Sequence, residues 1–575
     1  MKKIFFITVV FSMYSLLIVA QSVGINNNTP HASAILDVKS FTKGMLIPRT
    51  STTSRLAIVD PAKGLIIYDT TTSGFWFHNG TEWAQLSAAN NSWSLTGNSG
   101  TNAATHFIGT TDDQPLVFKI GNIKSGIIDS ISGNTALGYT SLFSNTTGYD
   151  NVASGYAALY YNTTGFANTA NGFQALAFNN TGIFNTASGN DALYSNIDGS
   201  RNTATGAFAL ALNTTGNRNT ATGTDALYYN TSGYDNTATG ASALVRNTTG
   251  HHNTALGGSA LFYNTTGSYN TANGYTALYA NTSGSSNIAN GYGALSSNTS
   301  GSYNTASGAN ALYTNSTGNN NSAYGALALY NNNTGKDNIA MGYSVLVSNT
   351  TGSSNTASGE YALSTNITGN NNTAIGFAAL GYNQGGNNNV AIGSNSGIHP
   401  STPNIYNTVS IGNDDLLNAY QNQVIIGNTS TGFIGGKVNW GIVSDARIKN
   451  TVMEDVKGLD FILRLRPVTY HISNKAMTTI TGNKEMPDFP GKYDVEKIKY
   501  SGFIAQEVEQ AAKDSKYEFS GYDAPKNQWS LYTLKYAEFV VPLVKAMQEQ
   551  QAIITNQQQQ IDLLEKRLAA LEAKK

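Results

Sequence analysis

Leucine recurs every 17 residues, from Leu142 through Leu159, Leu176, Leu193, Leu210, Leu227, Leu244, Leu261, Leu278, Leu295, Leu312, Leu329, Leu346 and Leu363 to Leu380, fifteen times without exception. Around each lies N-T-A-x-G-x-x-A-L-x-x-N-T-T-G-x-x, as in Asn202 to Arg218, and two glycine series starting at Gly138 and Gly148 keep the same register. A unit this short cannot bury an apolar face alone and must stack on its neighbours. Helices would need apolar residues at i, i+3, i+4 and i+7, whereas these units are rich in Asn, Thr and Gly, which are poor helix formers. The pattern predicts a mainly β chain built on a parallel β-solenoid, with two short strands per coil and an N-T-T-G turn where glycine takes positive φ. At about 4.8 Å per coil the repeat makes a rod on the order of 70 Å long.

The inward apolar residues of one coil amount to two alanines and a leucine, too little for a single thin roll to offset its backbone entropy comfortably. Association between chains is therefore expected. The N-T-A-x-G-x-x-A-L units, from about Asn134 to Gly393, resemble the head repeats of trimeric autotransporter adhesins, although those units are usually shorter. That resemblance implies a trimeric β-roll shaft.

The residue after the leucine is aromatic in eight of fifteen coils, at Phe143, Tyr160, Tyr194, Tyr228, Phe262, Tyr279, Tyr313 and Tyr330. Such a column could stack on sugar rings, but the expectation is a ladder packing on itself or on a sister chain. Repeated Thr and Asn also permit an ice-binding reading, against which the N-T-T triplets sit just before a turn glycine. His251 and His252 are expected as solvated turn residues rather than metal ligands. Only seven acids are scattered between Asn134 and Gly386, with no pair suited to glycoside hydrolysis.

Residues 1–20 carry Lys2 and Lys3 ahead of an apolar run to Ala20 and read as a signal peptide, cleaved on export. No later stretch is apolar enough to cross a membrane, so the mature chain is expected to have no transmembrane segment. The absence of cysteine excludes disulfides, thiolate metal sites and a cysteine nucleophile. With 12% charged residues and a formal net charge of -1, nucleic acid is not an expected partner. No cofactor or metal is expected.

Residues 21–125 form an expected N-terminal β-rich module, with hairpins implied by Gly64 to Tyr68, Phe75 to His78, the segment D-T-T-T-S-G and Asn79-Gly80. The solenoid is placed at 126–393. At 394–443 the strict period decays while N-T-V-S-I-G and N-Q-V-I-I-G persist, which reads as a β neck.

Composition changes at Ser444. From there to Lys575 stand 19 Lys plus Arg and 18 Asp plus Glu in 132 residues, against 4 and 7 between Asn134 and Gly386, a shift that marks a domain boundary. Four segments follow in order: S-D-A-R-I-K at Ser444 to Lys449, G-L-D-F-I-L-R-L-R-P-V-T-Y at Gly458 to Tyr470, G-F-I-A-Q-E-V-E at Gly502 to Glu509, and a helix from Tyr536 to Met547. Together they resemble the intramolecular chaperone domain of phage endosialidases and other tail spikes, a self-cleaving serine peptidase family also present in myelin regulatory factor. The resemblance implies an α+β chaperone domain at 444–545, scission between Val443 and Ser444 once and in cis, and a catalytic dyad of Ser444 and Lys449. A serine hydroxyl is a weak nucleophile, and a lysine serves as its base only when burial lowers the ammonium's pKa. Folding and trimer assembly could supply that burial. Asp445, Arg447, Gln506 and Glu507 lie in the same motifs and are assigned no catalytic role.

Val540, Leu543, Met547, Ile554, Ile561, Leu564, Leu568 and Leu571 alternate by threes and fours with Gln550 and Gln557 in the same seam, which predicts a trimeric coiled coil, assigned to 546–575. The leading reading is an exported homotrimeric fibre or adhesin-like surface protein, with an unknown surface receptor or glycan as partner, whose C-terminal chaperone directs folding and cuts itself off. The alternatives are a phage-like tail spike or fibre that binds or degrades a receptor polysaccharide, and a non-cleaving structural or ice-binding surface protein.

Overall fold

The computed structural model describes residues 22–86, 97–437, 443–483 and 491–574. The expected signal peptide lies outside them. The chain divides into two compact units, 1–109 and 110–575.

In the first unit the expected hairpins form. Ile66–Asp69 pairs antiparallel with Gly74–His78 around the 69–74 turn, and Gly74–His78 pairs with Trp83–Gln85 around Asn79-Gly80. A buried ion pair anchors them: Arg55 Nε donates to Asp69 Oδ2 at 2.9 Å, and its guanidinium lies 3.7 Å from the centre of the Trp76 ring. Burial pushes the Asp69 carboxyl up, but hydrogen bonds from Thr52, Arg55 and the amides of Thr72 and Thr71 outweigh it and hold its pKa at about 2.

The second unit is dominated by the solenoid. A hairpin of Leu116–Ile120 and Ile123–Ile128 starts it, the second strand pairing antiparallel with Thr135–Leu137. From there eighteen three-residue strands stack in parallel, one per coil, up to Val424–Ile426. The pairing is in strict register, with Thr203, Ala204 and Thr205 opposite Thr220, Ala221 and Thr222. The ladder does not stop where the strict period does: it continues through Val409–Ile411 and Val424–Ile426, with spacings of 19 residues from Val390 to Val409 and 15 from Val409 to Val424.

Each coil contains one strand rather than the two expected. The second leg, around A-L, has Phe208 at φ 58° and Leu210 at φ 52°, and the leucine is left-handed in coil after coil. That geometry is incompatible with a β-strand and costs about 1–2 kcal/mol for a side chain such as leucine. It is held by burial and by ladder bonds, since Leu210 N still donates to Ala226 O at 2.9 Å and Phe208 N to Asn190 O at 2.8 Å.

The interior is also more polar than two alanines and a leucine. Ala204, Ala209 and Leu210 are fully buried, and so are Asn202 and Asn213. Asn213 Nδ2 donates to Asn196 Oδ1 at 2.7 Å and to Gly216 O at 3.0 Å, and its own Oδ1 accepts from Asn230 Nδ2 at 2.8 Å. Asn202 Nδ2 reaches the same Gly216 carbonyl at 2.8 Å, while its backbone N donates to Asn185 Oδ1 at 3.0 Å. Two amide columns therefore run inside the rod beside the leucine column. Gly216 is fixed by them, because an added Cβ would stand 2.3 Å from Asn213 Oδ1.

Downstream of Ser444 a small α+β region gathers on Phe461, which is fully buried against Val508, Ala511, Ala512, Phe519 and Phe539. Val468–Tyr470 pairs antiparallel with Tyr500–Gly502. A single helix, Val540–Glu572, then runs straight through the boundary expected at 545/546. All eight apolar seam positions named above are exposed on it. Among the described residues, no helix is long and apolar enough to cross a membrane.

Two outcomes are expected. Asn213→Ala leaves buried partners unsatisfied and should lower shaft stability by about 1–3 kcal/mol in chemical denaturation, whereas exposed Thr215→Ala should stay within about 0.5 kcal/mol. In acid titration followed by tryptophan fluorescence, the contribution of Asp69 is present above its free-carboxyl value of 3.8 and is lost as pH falls through about 2. Asp69→Asn should abolish that acid transition.

Candidate functional site

The segment opening the C-terminal region folds back on itself. Asp445 caps a short 3-10 helix, Ala446–Ile448, its side chain accepting from Arg447 N at 2.8 Å, and the Arg447 guanidinium closes on the same carboxylate at 2.6 Å. The hydrogen bonds from the Arg447 side chain and amide hold the Asp445 carboxyl below its usual range. One turn of this kind returns the fifth residue to the first, and Lys449 Nζ donates to Ser444 Oγ at 2.8 Å. The two residues expected to form a dyad are thus in hydrogen-bond contact.

Both are exposed in the single chain, as is Val443 at 80%. The bond has nitrogen donating and oxygen accepting, whereas general-base activation of the serine needs the reverse. The geometry brings the pair together; a surrounding shell that would take the charge off the lysine is not supplied by this chain's described residues.

The other motif residues have structural partners. Glu507 pairs with Arg466, a contact between the helix Ala505–Asp514 and the segment leading to Val468–Tyr470, and this guanidinium holds the Glu507 carboxyl below its usual range. Gln506 is exposed beside it. Leu459 N donates to Glu549 Oε2 at 2.8 Å, tying the start of helix Leu459–Ile462 to the long helix.

On the shaft, the aromatic columns pack on themselves. Phe143 and Tyr160 stack at 5.4 Å, Phe262 and Tyr279 at 5.3 Å, and Tyr313 and Tyr330 at 5.2 Å. His251 stacks on Tyr234 at 4.7 Å and His252 on Tyr269 at 4.9 Å, a separate short stack in the turn seven and eight residues after the leucine, with His251 half-buried and His252 exposed as expected of a turn residue. Among the described residues no cluster of three or more His, Cys, Asp or Glu is placed to hold a metal ion. The N-T-T threonines are drawn into the ladder, as where Thr214 Oγ1 donates to Thr231 O at 2.9 Å. A flat Thr-Ala-Thr face exists only across three coils, at Thr203, Thr220 and Thr237 with Thr205, Thr222 and Thr239; beyond them the third position changes to Ser, Asn, Leu, Tyr, Met or Ile.

Residues that sequence reasoning did not single out are His399, Trp529 and Asn527. His399 is buried, its Nε2 lying 2.7 Å from Thr481 O, and its ring stacks on Trp529 at 4.9 Å. The available signal was the loss of the 17-residue period after Val390, which makes room for the loops at 398–405 and 413–421.

Residues 444–516 match the family described as chaperone of endosialidase, and the match begins at Ser444 itself. Residues 24–102 match the family described as phage tail like trimerisation region. No curated protein matches the chain. The resemblance read from S-D-A-R-I-K and the segments at Gly458 to Tyr470 and Gly502 to Glu509 is thereby borne out. A long β-solenoid between a tail-like trimerisation region and an endosialidase-type chaperone fits a fibre- or tail-spike-like protein.

Phe461→Ala should lower the stability of the C-terminal region by about 3–5 kcal/mol, because the ring fills the centre of its small core. Thermal melting of the full chain followed by near-UV circular dichroism measures this as early loss of one transition with the shaft transition unchanged.

Proposed function

We propose that the chain is an exported, homotrimeric fibre whose C-terminal region brings three copies together and then severs itself from the shaft between Val443 and Ser444. The observation that carries this reading is the 2.8 Å contact of Lys449 Nζ with Ser444 Oγ at the first residue of the segment that matches the endosialidase chaperone. Ser444 is the nucleophile and Lys449 its base. Attack of Ser444 Oγ on the Val443 carbonyl forms an ester as the Val443–Ser444 amide breaks, the proton passing by way of Lys449 to the departing amine; water then hydrolyses the ester.

Exposure of the pair in one chain gives the reaction a natural gate. A lysine open to water keeps its proton, and packing against sister chains removes that water and favours the neutral amine. Cutting then follows assembly. The exposed seam of the 33-residue helix supports a three-stranded coiled coil as the clasp, and the matched trimerisation region supports the same stoichiometry at the other end.

The match to a phage tail like trimerisation region also favours a second reading, a tail-spike-like fibre, for which a receptor-binding or polysaccharide-degrading role is proposed. Incubation with candidate polysaccharides separates a degrading spike from a purely structural or adhesive fibre, since only the spike releases fragments.

Denaturing mass spectrometry of the purified chain should find a product ending at Val443 and a C-terminal piece starting at Ser444. Ser444→Ala should remain full length, and Lys449→Met should cut on the order of a hundredfold more slowly or worse. An uncut unmodified chain would remove the peptidase assignment.

A further inference from the structure

The C-terminal region does more than follow the shaft in sequence; it is seated on the shaft's last coils. His399, on the loop after Val390–Ile392, reaches the carbonyl of Thr481, the last residue of the helix Asn474–Thr481. That carbonyl is one of the four a helix end leaves without an internal partner. His399 Nδ1 accepts from Ser401 N at 3.2 Å, so the ring is a neutral tautomer with Nε2–H donating to Thr481.

The imidazole face is covered by Trp529 at 4.9 Å with the planes 26° apart. Gly482, left-handed at φ 65°, leaves space for that indole, since a Cβ there would lie 2.1 Å from Trp529 Cζ3. Three more hydrogen bonds cross from downstream side chains or carbonyls to the shaft: Asn527 Nδ2 to Ala419 O at 2.8 Å, Asn483 Nδ2 to Asp415 O at 2.7 Å, and Ser430 Oγ to Lys492 O at 3.2 Å. Lys526 Nζ also lies 4.6 Å from the centre of the Tyr420 ring. These contacts use the loops that the broken period creates, and they leave a cleft of about 1080 Å³ between Tyr420 and Leu531.

None of these contacts involves Val443, Ser444 or the turn that joins Ser444 to Lys449. Severing that peptide bond removes the tether but not one atom of the joint. We propose that the region downstream of Ser444, once cut, stays on the shaft as a non-covalent cap held by the His399–Trp529 stack and the Asn527 and Asn483 bridges. Its partner is thus the end of the shaft itself, around the loops that flank the last parallel strands, Val409–Ile411 and Val424–Ile426. This inference rests on the cleavage proposed above.

The test uses the full chain as expressed. Denaturing mass spectrometry reports whether it is cut, and native size-exclusion chromatography of the same sample reports whether the 132-residue piece travels with the shaft. The expected result is cut chains whose two fragments co-elute. The His399→Ala/Asn527→Ala variant, altered on both sides of the joint, should still be cut but show on the order of tenfold more free C-terminal piece, as loss of one buried hydrogen bond, one half-buried hydrogen bond and a ring stack implies. Trp529→Ala gives a second, independent break in the joint and should shift the same ratio in the same direction. Cut fragments that separate in the unmodified protein, or variants that retain the piece as fully as the unmodified protein does, would overturn the cap while leaving the peptidase assignment standing. An uncut chain would instead strike at the cleavage itself, and the cap would fall with it.

Discussion

Each coil of the shaft is held to the next by amide groups buried inside the rod, and everything else in the architecture is arranged around that constraint. Asn202 and Asn213 both donate to the carbonyl of Gly216, and each is hydrogen-bonded in turn to the asparagine one coil away. A buried amide left unpaired is costly, so a slip by one residue would be penalised at every coil at once. That is why the period stays at 17 for so long, and why leucine is kept in a left-handed conformation it does not favour by itself. The columns fix register; the alanines and leucine supply the apolar contact.

Much of this was readable from the order of residues. The leucine and glycine series are visible without any structure, and the composition shift at Ser444 coincides with the start of the matched chaperone segment. The proximity of Ser444 and Lys449 follows from their spacing once Asp445 and Arg447 close the turn between them. Three features were hidden for physical reasons. Asparagine before threonine reads as turn chemistry, because the same amide that makes an Asx turn also makes a buried ladder, and only the stacking distinguishes them. The second strand per coil was predicted from a pattern that does not reveal φ, and a leucine at +52° carries no mark in the sequence. The joint between His399 and Trp529 was illegible, since those residues are 130 positions apart and neither belongs to a motif.

Both ends of the ladder are special. At the start, an antiparallel hairpin pairs Ile123–Ile128 onto Thr135–Leu137, which covers the first parallel strand. At the other end the period breaks, and the loops released by the break become the seat of the C-terminal region. Parallel stacks form slowly, since each coil closes only after the chain has travelled a full turn, and exposed edges invite pairing with the wrong chain. In the proposed fibre a fast-forming helical clasp sets three chains in register, the shaft fills in behind it, and the cut records completion.

In the proposed fibre one thin ribbon is not a finished molecule. Its strand face carries Val390, Ile392, Val409, Ile411 and Val424 outward near the C-terminal end, and the long helix exposes its whole apolar seam. Sedimentation equilibrium of the uncut Ser444→Ala chain tests it without interference from cleavage. A particle near three times the mass of one chain is the expected result; a stable, well-ordered single chain that binds no copy of itself would contradict it.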